Sequence, residues 1–139
     1  MNNRYLYRAK RNNWRELPKE MWWIEGYYAY FKQNDNHCIY YETDGFTLVC
    51  DIDISTICAC TGLKDKNGKL IWENDIVCVK HTDGQEEYQE NAKVSYTKRG
   101  FSPFSWEYYC DGCDVRCEIL EVEVIGSAID NPELLEVGE

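Results

Sequence analysis

The sequence predicts a mainly β protein of short antiparallel strands and hairpins, and three observations support this. Aromatic residues make up 14% of the 139-residue chain, and large rings favour strands over helices. Short aromatic or β-branched runs alternate with clusters of turn residues, as expected for many short strands. Helical periodicity is nearly absent, except for one short C-terminal turn in which Asn131 would cap a helix that begins at Pro132.

The first half of the chain is predicted to be an aromatic β-meander. Its strand candidates are residues 5–7, 22–31, 37–41 and 46–50. Turn residues 33–36 and 43–45 would join the last three strands as hairpins. Gly26 lies inside the longest candidate and indicates a bulge or a close approach of another backbone.

The second half alternates turns with short strands, an arrangement that is common in small SH3-like barrels. Its strand candidates are residues 57–60, 70–72, 76–79, 92–97, 104–109 and 118–125. Asn67-Gly68 is the strongest turn signal, because both residues tolerate a positive φ. The polar and acidic residues 82–91 are predicted to form an exposed loop.

No linker divides the chain, because it has only 3 prolines and no low-complexity tract. We therefore expect a single domain over residues 1–139. Within it, residues 1–55 would form the aromatic meander and residues 56–139 the SH3-like barrel portion.

Two blocks of the sequence resemble the YopX-like family of phage and prophage proteins. Residues 61–77 read TGLKDKNGKLIWENDIV and are similar to the family signature TGLKDKNGKxIxEGDIV. Residues 124–135 read VIGSAIDNPELL and are similar to the closing pattern VIGNIxxNPELL. The chain departs from the signature at Asn74, where glycine is usual, and a type I turn would still accommodate asparagine there.

This resemblance implies a mainly β fold that contains an SH3-like barrel, encoded by a phage or by a prophage in a bacterium. It implies no activity, because the family has no established biochemical function. Residues 98–117 match nothing in the family pattern, so any property peculiar to this protein is expected there.

The chain is acidic, with a formal net charge of -10, and an acidic surface repels phosphate. Residues 1–36 hold seven basic and four acidic side chains, whereas residues 101–139 hold one basic and ten acidic side chains. The two ends either pair or diverge within one fold, or a basic patch meets an acidic patch on another copy or a partner. Because the chain as a whole is acidic, generic nucleic-acid binding is disfavoured.

The sequence carries no signal for a membrane or for secretion. No run approaches the ~18 apolar residues of a membrane-spanning helix, and the polar N-terminus lacks the apolar region of a signal peptide. We therefore expect a cytoplasmic protein of the bacterial host cell, with no membrane partner. Its 8 cysteines are then thiols or metal ligands before disulfides, since the cytosol is reducing.

Cys110, Cys113 and Cys117 form the cysteine group whose spacing suits a metal. Two thiolates separated by two residues can bind one Zn²⁺, because Asp111-Gly112 lets the chain turn back, and Cys117 would be a third ligand. The alternatives are small buried thiols beside a hairpin loop, or a redox pair. We therefore expect no cofactor, with zinc as the alternative.

No set of catalytic residues is visible in the sequence. Nucleophilic hydrolysis needs a nucleophile, a base and an orienting group, but the histidines are only His37 and His81, both predicted to be exposed. Glu121 and Glu123 alternate with valines, as on the solvated face of a strand. No phosphate-binding glycine loop is present. We therefore expect that the protein is not an enzyme.

Adjacent pairs of aromatic residues indicate a protein-binding surface. On a strand, one member of each pair must face away from the core, and rings left outside would attract a protein partner or a second copy. The residues that this argument selects are Trp23, Tyr28, Tyr41 and Tyr109.

These observations together favour a non-catalytic accessory protein that binds a host or phage protein or assembles with itself. Host takeover or counter-defence would suit a phage gene. One alternative is nucleic-acid binding by the N-terminal segment, in which basic residues interleave with aromatic ones: Arg4, Arg8, Arg11 and Arg15 with Tyr5, Tyr7 and Trp14. Another is a barrel that binds a small ligand or zinc.

Overall fold

The computed structural model describes residues 5–97, 100–102, 108–109 and 116–135, and it confirms a mainly β, antiparallel fold. Every helical segment among these residues is a short 3-10 turn, and the last one follows Asn131 as predicted. The strands are β1 (Tyr7–Lys10), β2 (Trp23–Phe31), β3 (Asn36–Thr43), β4 (Phe46–Asp51), β5 (Cys58–Lys64), β6 (Leu70–Trp72), β7 (Asp75–Thr82), β8 (Glu87–Lys93), β9 (Ser95–Thr97), β10 (Gly100–Ser102), β11 (Tyr108–Tyr109) and β12 (Arg116–Ser127). None of the described helical segments has the length and apolar character needed to span a lipid bilayer.

The chain divides into two compact units, Met1–Cys60 and Thr61–Glu139. Strands β1 to β4 lie in the first unit and β6 to β12 lie in the second. Strand β5 begins in the first unit and ends in the second. The sheets are open over the described residues, so the SH3-like closure that the sequence predicts is not confirmed.

In the first unit, β2, β3 and β4 form the predicted meander. Strand β2 pairs with β1 through residues 23–26 and with β3 through residues 27–31. The β3–β4 hairpin turns at Asp44 and Gly45, whose φ angles of 49° and 81° are both positive, as a type I′ turn requires. Strand β4 pairs with β3 and forms one end of the sheet that the described residues make.

The core of the first unit consists of small and β-branched side chains surrounded by aromatic rings. Its buried members are Ala9, Ile24, Ile39 and Ile52, and the half-buried residues packed against them are Tyr7, Tyr28, Tyr41, Cys50 and Ile57. The predicted close approach at Gly26 is confirmed, because an added Cβ would collide with the backbone carbonyl oxygen of Tyr40. Glycine at this position therefore lets β2 and β3 lie close together.

The second unit is built on a sheet with the strand order β11-β12-β7-β8. Residues 77, 79 and 81 of β7 are buried while residues 78, 80 and 82 are half-buried, which is the period of a strand with one face on the core. Ile71, Val77, Val79 and Val94 form that core. Strand β12 pairs with β7 along most of its length, with two register shifts.

Two predictions in this unit are wrong. His81 was expected to be exposed, but it is 1% exposed, since it shares the core face of β7 with Val77 and Val79. Residues 82–91 were expected to form an exposed loop, but Glu87–Lys93 forms the end strand β8. The polar side chains of β8 point mostly into solvent, so their composition resembles that of a loop.

The two sequence blocks shared with the family lie next to each other in the fold. The Asp65 carboxylate accepts the backbone N–H of Val124 at 3.0 Å, and the Asn74 carbonyl accepts the N–H of Ala128 at 2.7 Å. Asn74 has a φ of 71°, so it adopts the left-handed conformation that glycine favours rather than a type I turn. The Asp75 carboxylate accepts the Trp72 N–H at 2.8 Å where β7 begins.

Candidate functional site

The structure describes the predicted zinc ligands only in part. Cys110 and Cys113 lie outside the described residues, and Cys117 lies in β12, where its backbone pairs with Tyr108. Across the described ranges, no three or more His, Cys, Asp or Glu side chains are grouped in a way that could hold a metal ion. A zinc site on Cys110, Cys113 and Cys117 therefore stays a prediction.

The described cysteines belong to the packing of the strands. Cys58 and Cys60 are 0% and 2% exposed and share one face of β5, because residues two positions apart in a strand point the same way, while Ala59 is half-buried. Burial, with the hydrogen bond from Cys38 Sγ to Asp51, raises the pKa of Cys38 to about 11. The Cys38 thiol therefore stays protonated at neutral pH and is a poor nucleophile.

The aromatic residues selected from the sequence are distributed over different environments. Tyr28 and Tyr41 are half-buried against the core of the first unit, and the Tyr28 hydroxyl lies 2.6 Å from Nδ1 of His37. Trp23 is half-buried, with the Arg8 guanidinium 4.9 Å from its ring centroid. Tyr109 lies in β11 and pairs with Arg116 through the backbone. Tyr28 and Tyr41 thus contribute to the packing of the core.

A cluster of tryptophans surrounds the Lys10 ammonium group. Lys10 Nζ lies 3.8 Å from the ring centroid of Trp14 and 4.3 Å from that of Trp22, and the residue is 3% exposed. The Arg15 guanidinium covers Trp14 at 4.3 Å, and Trp14 Nε1 donates to Asp53. These cations and rings of the basic N-terminal segment therefore contact each other within the unit, as cation–π pairs.

The outer edge of β4 is an exposed apolar surface of the first unit. We call residues 46–50 the β4 edge. Phe46, Leu48 and Val49 are 69%, 41% and 61% exposed, and no charged residue lies among these five positions. Tyr40, which is 39% exposed, pairs with Val49 on the neighbouring strand and extends the surface on the face of the sheet that carries Val49.

Two hydrogen bonds show which backbone groups of the β4 edge point outward. The Ile52 N–H donates to the backbone carbonyl of His37, so it points toward β3. The Asp51 carbonyl accepts the Asn12 N–H, so it points away from β3. Backbone groups alternate along an antiparallel strand. The N–H and C=O groups of Thr47 and Val49 therefore point away from β3, where no described strand pairs with them.

Strand β8, at one end of the four-stranded sheet in the second unit, contrasts with the β4 edge. Strand β8 carries Glu87, Glu90 and Lys93 over seven residues, and its side chains are mostly exposed. Charged side chains on an end strand prevent it from pairing with another chain. The β4 edge lacks this protection, so of β4 and β8 it is β4 that is suited to binding.

Sequence reasoning missed the β4 edge, although a signal was present. The prediction relied on adjacent aromatic pairs and passed over Phe46, Leu48 and Val49, which form no such pair. An uncharged run of high β propensity that directly follows a type I′ turn would have marked a candidate for strand pairing. That it lies at the end of a sheet is a property of the fold.

The second unit has a shallow depression of about 100 Å³, lined by Lys66, Cys78, Lys80, Gln89, Glu121 and Glu123. Its charged side chains form ion pairs, since Lys80 Nζ lies 3.2 Å from Glu121 Oε2 and Lys66 Nζ lies 3.5 Å from Glu123 Oε1. These side chains are about 40% exposed. The depression is therefore a solvated ladder of ion pairs, and Glu121 and Glu123 lie on the solvated face that the sequence predicts.

Comparison with known proteins identifies a family and nothing finer. The family model described as YopX protein matches residues 7–136 of the chain. No curated protein and no solved structure matches the chain significantly.

Proposed function

The chain belongs to the YopX family, and from this premise we propose that it is a phage- or prophage-encoded accessory protein that binds protein and does not catalyse a reaction. It acts in the cytoplasm of the bacterial host, in host takeover or counter-defence. The β4 edge is the surface through which it binds.

The observation that carries this proposal is the exposed, uncharged edge of β4. Phe46 and Leu48 point to one face of the sheet and Val49 points to the other, while the backbone groups of Thr47 and Val49 face outward. An extended segment of a partner adds a strand to such an edge, with backbone hydrogen bonds for affinity and side-chain contacts for specificity.

The buried polar side chains of the described residues support a role without catalysis. Asp65 and Asp75 accept backbone N–H groups of turns, and Thr56 accepts the N–H of Lys10. His81 stacks on Tyr88 with ring centroids 5.5 Å apart. Each of these groups has a structural partner, and none of them forms a pair of nucleophile and base.

A capture experiment tests the proposal. The wild-type protein and the variants Val49→Lys and Gln33→Lys would be immobilised and exposed to host lysate and to free wild-type protein. Gln33 is the matched control, because it is exposed on a turn of the same unit and receives the same added charge. We expect the wild type and Gln33→Lys to retain the same proteins, and Val49→Lys to lose them. Capture that does not change in Val49→Lys would overturn the proposal.

A further inference from the structure

We propose that the segment that pairs with the β4 edge is β4 of a second copy of this chain, added antiparallel across a two-fold axis at Leu48. This inference rests on the proposed function and names its partner. It follows from the outward backbone groups, the side chains of the strand and the distribution of charge.

The outward backbone groups select this register. With the axis at Leu48, Thr47 of one copy faces Val49 of the second copy, and each such pair exchanges both N–H···O bonds. With the axis at Val49, Thr47 would face Asp51, whose carbonyl already accepts the Asn12 N–H. With the axis at Thr47, Val49 would face Gly45, which lies in the turn at a φ of 81°.

The side chains of the strand also fit this register. Leu48 lies opposite Leu48 of the second copy in a pair without hydrogen bonds, where the Cα atoms approach to about 4.5 Å. The large ring of Phe46 lies opposite the small Cys50 on that face, and Thr47 lies opposite Val49 on the other face. Since residues 46–50 carry no charge, no like charges oppose each other across the pair.

The distribution of charge permits the two copies to approach through the first unit. Residues 1–60 hold seven basic and eight acidic side chains, a net charge of -1. Residues 61–139 hold eight basic and 17 acidic side chains, a net charge of -9. The pairing strand therefore belongs to the unit that contributes least to electrostatic repulsion between copies.

The length of the strand sets the strength of the dimer. Strand β4 has 6 residues, so the pair is smaller than the ~1,200–2,000 Å² interfaces of stable complexes. We therefore expect a dimer whose population rises with protein concentration. Because the contact is two-fold and uses the same strand in both copies, it closes on itself and does not propagate into a fibre.

Sedimentation equilibrium over a range of protein concentrations tests the partner. We expect the wild type and Gln33→Lys to form dimers alike, and Val49→Lys to weaken the dimer by about tenfold or more, as substitutions at a binding centre do. Far-UV circular dichroism would confirm that the variants keep the fold. A wild-type protein that stays monomeric at all concentrations would overturn the inference.

Disulfide mapping tests the register. Leu48→Cys, Thr47→Cys and Val49→Cys would be oxidised, and linked peptides would be identified by mass spectrometry so that the native thiols are separated from the new one. We expect a link between the two copies of residue 48, since their Cα distance suits a disulfide. If residue 47 or residue 49 instead formed the dominant link to the same residue of the second copy, the register would be overturned.

The two proposals fail separately. If the wild type is monomeric but Val49→Lys still loses proteins captured from lysate, the second copy is excluded and protein binding at the β4 edge is kept. If the wild type is monomeric and capture is insensitive to Val49→Lys, both proposals are overturned.

Discussion

The carboxylate of Asp65 accepts the backbone N–H of Val124 at 3.0 Å, although the two residues are 59 positions apart in the chain. Asp65 also accepts the N–H groups of Asn67 and Lys69, both at 2.9 Å. One side chain thus closes the turn of the first family block and joins it to the start of the second. Asp65, a residue of the family signature, therefore stabilises the fold of the second unit.

Replacing Asp65 by alanine is expected to destabilise the protein strongly. The substitution leaves three backbone N–H groups without their acceptor in a site where Asp65 is 8% exposed. We expect the free energy of unfolding to fall by about 2–3 kcal/mol, measured by urea denaturation. Asp83→Ala is the control, because Asp83 closes a similar turn with the N–H groups of Gln85 and Glu86 at the exposed surface. An equal loss in both variants would contradict the role of the contact with Val124.

The contribution of Asp65 is expected to disappear in acid. Burial disfavours its charged form, but the N–H groups of Val124, Lys69 and Asn67 outweigh burial and hold the pKa of Asp65 below its usual value. The stabilisation is therefore present above the ordinary carboxyl pKa of about 4 and is lost as the pH falls through the lower folded-state pKa. The difference in unfolding free energy between the wild type and Asp65→Ala should shrink below about pH 4. A difference that is constant between pH 7 and pH 2 would refute this assignment.

Lys10 and Trp14 are expected to stabilise each other. Lys10 Nζ lies 3.8 Å from the Trp14 ring centroid in a nearly dry site. A double-mutant cycle with Lys10→Met and Trp14→Leu should give a coupling free energy of about 1–2 kcal/mol in urea denaturation. The cycle of Arg15→Gln with Trp14→Leu should give a smaller coupling, because Arg15 is exposed to solvent. Equal coupling in the two cycles would show that burial of Lys10 adds nothing.

Gly26→Ala is expected to disrupt the pairing of β2 with β3. The added Cβ would meet the backbone oxygen of Tyr40, which cannot move without shifting the strand. We expect a loss of unfolding free energy of about 2–3 kcal/mol. Gly84→Ala is a useful comparison, since that site has open space and only a φ of 97° opposes alanine. If Gly26→Ala costs no more than Gly84→Ala, the close approach is not the reason for glycine.

Features that depend on neighbouring residues were predictable from the sequence. The turn at Asp44-Gly45 follows from residues that tolerate positive φ, and the common face of Cys58 and Cys60 follows from the period of a strand. The strand class, the family and the short helical turn that follows Asn131 are of this kind. Each depends on a few consecutive residues or on a motif.

Features that depend on strand pairing were not predictable in the same way. The same strand period could have indicated that His81 is buried, because it lies two residues after Val79, but its cover depends on Tyr88 and Glu90 in β8. The sequence predicts a loop there, because the side chains of that strand are polar and mostly exposed. The predicted binding residues Tyr28 and Tyr41 pack against the core, which their sequence neighbours do not reveal.

By itself, the sequence determined that this chain is a mainly β member of its family, with its turns at defined places, because turn geometry and strand period are local properties. Only the tertiary structure decided that the two family blocks meet through Asp65 and Val124 and that β4 forms the end of a sheet with Leu48 and Val49 exposed. Both depend on contacts between residues far apart in the chain, and the order in which strands pair is set by the packing of the whole unit.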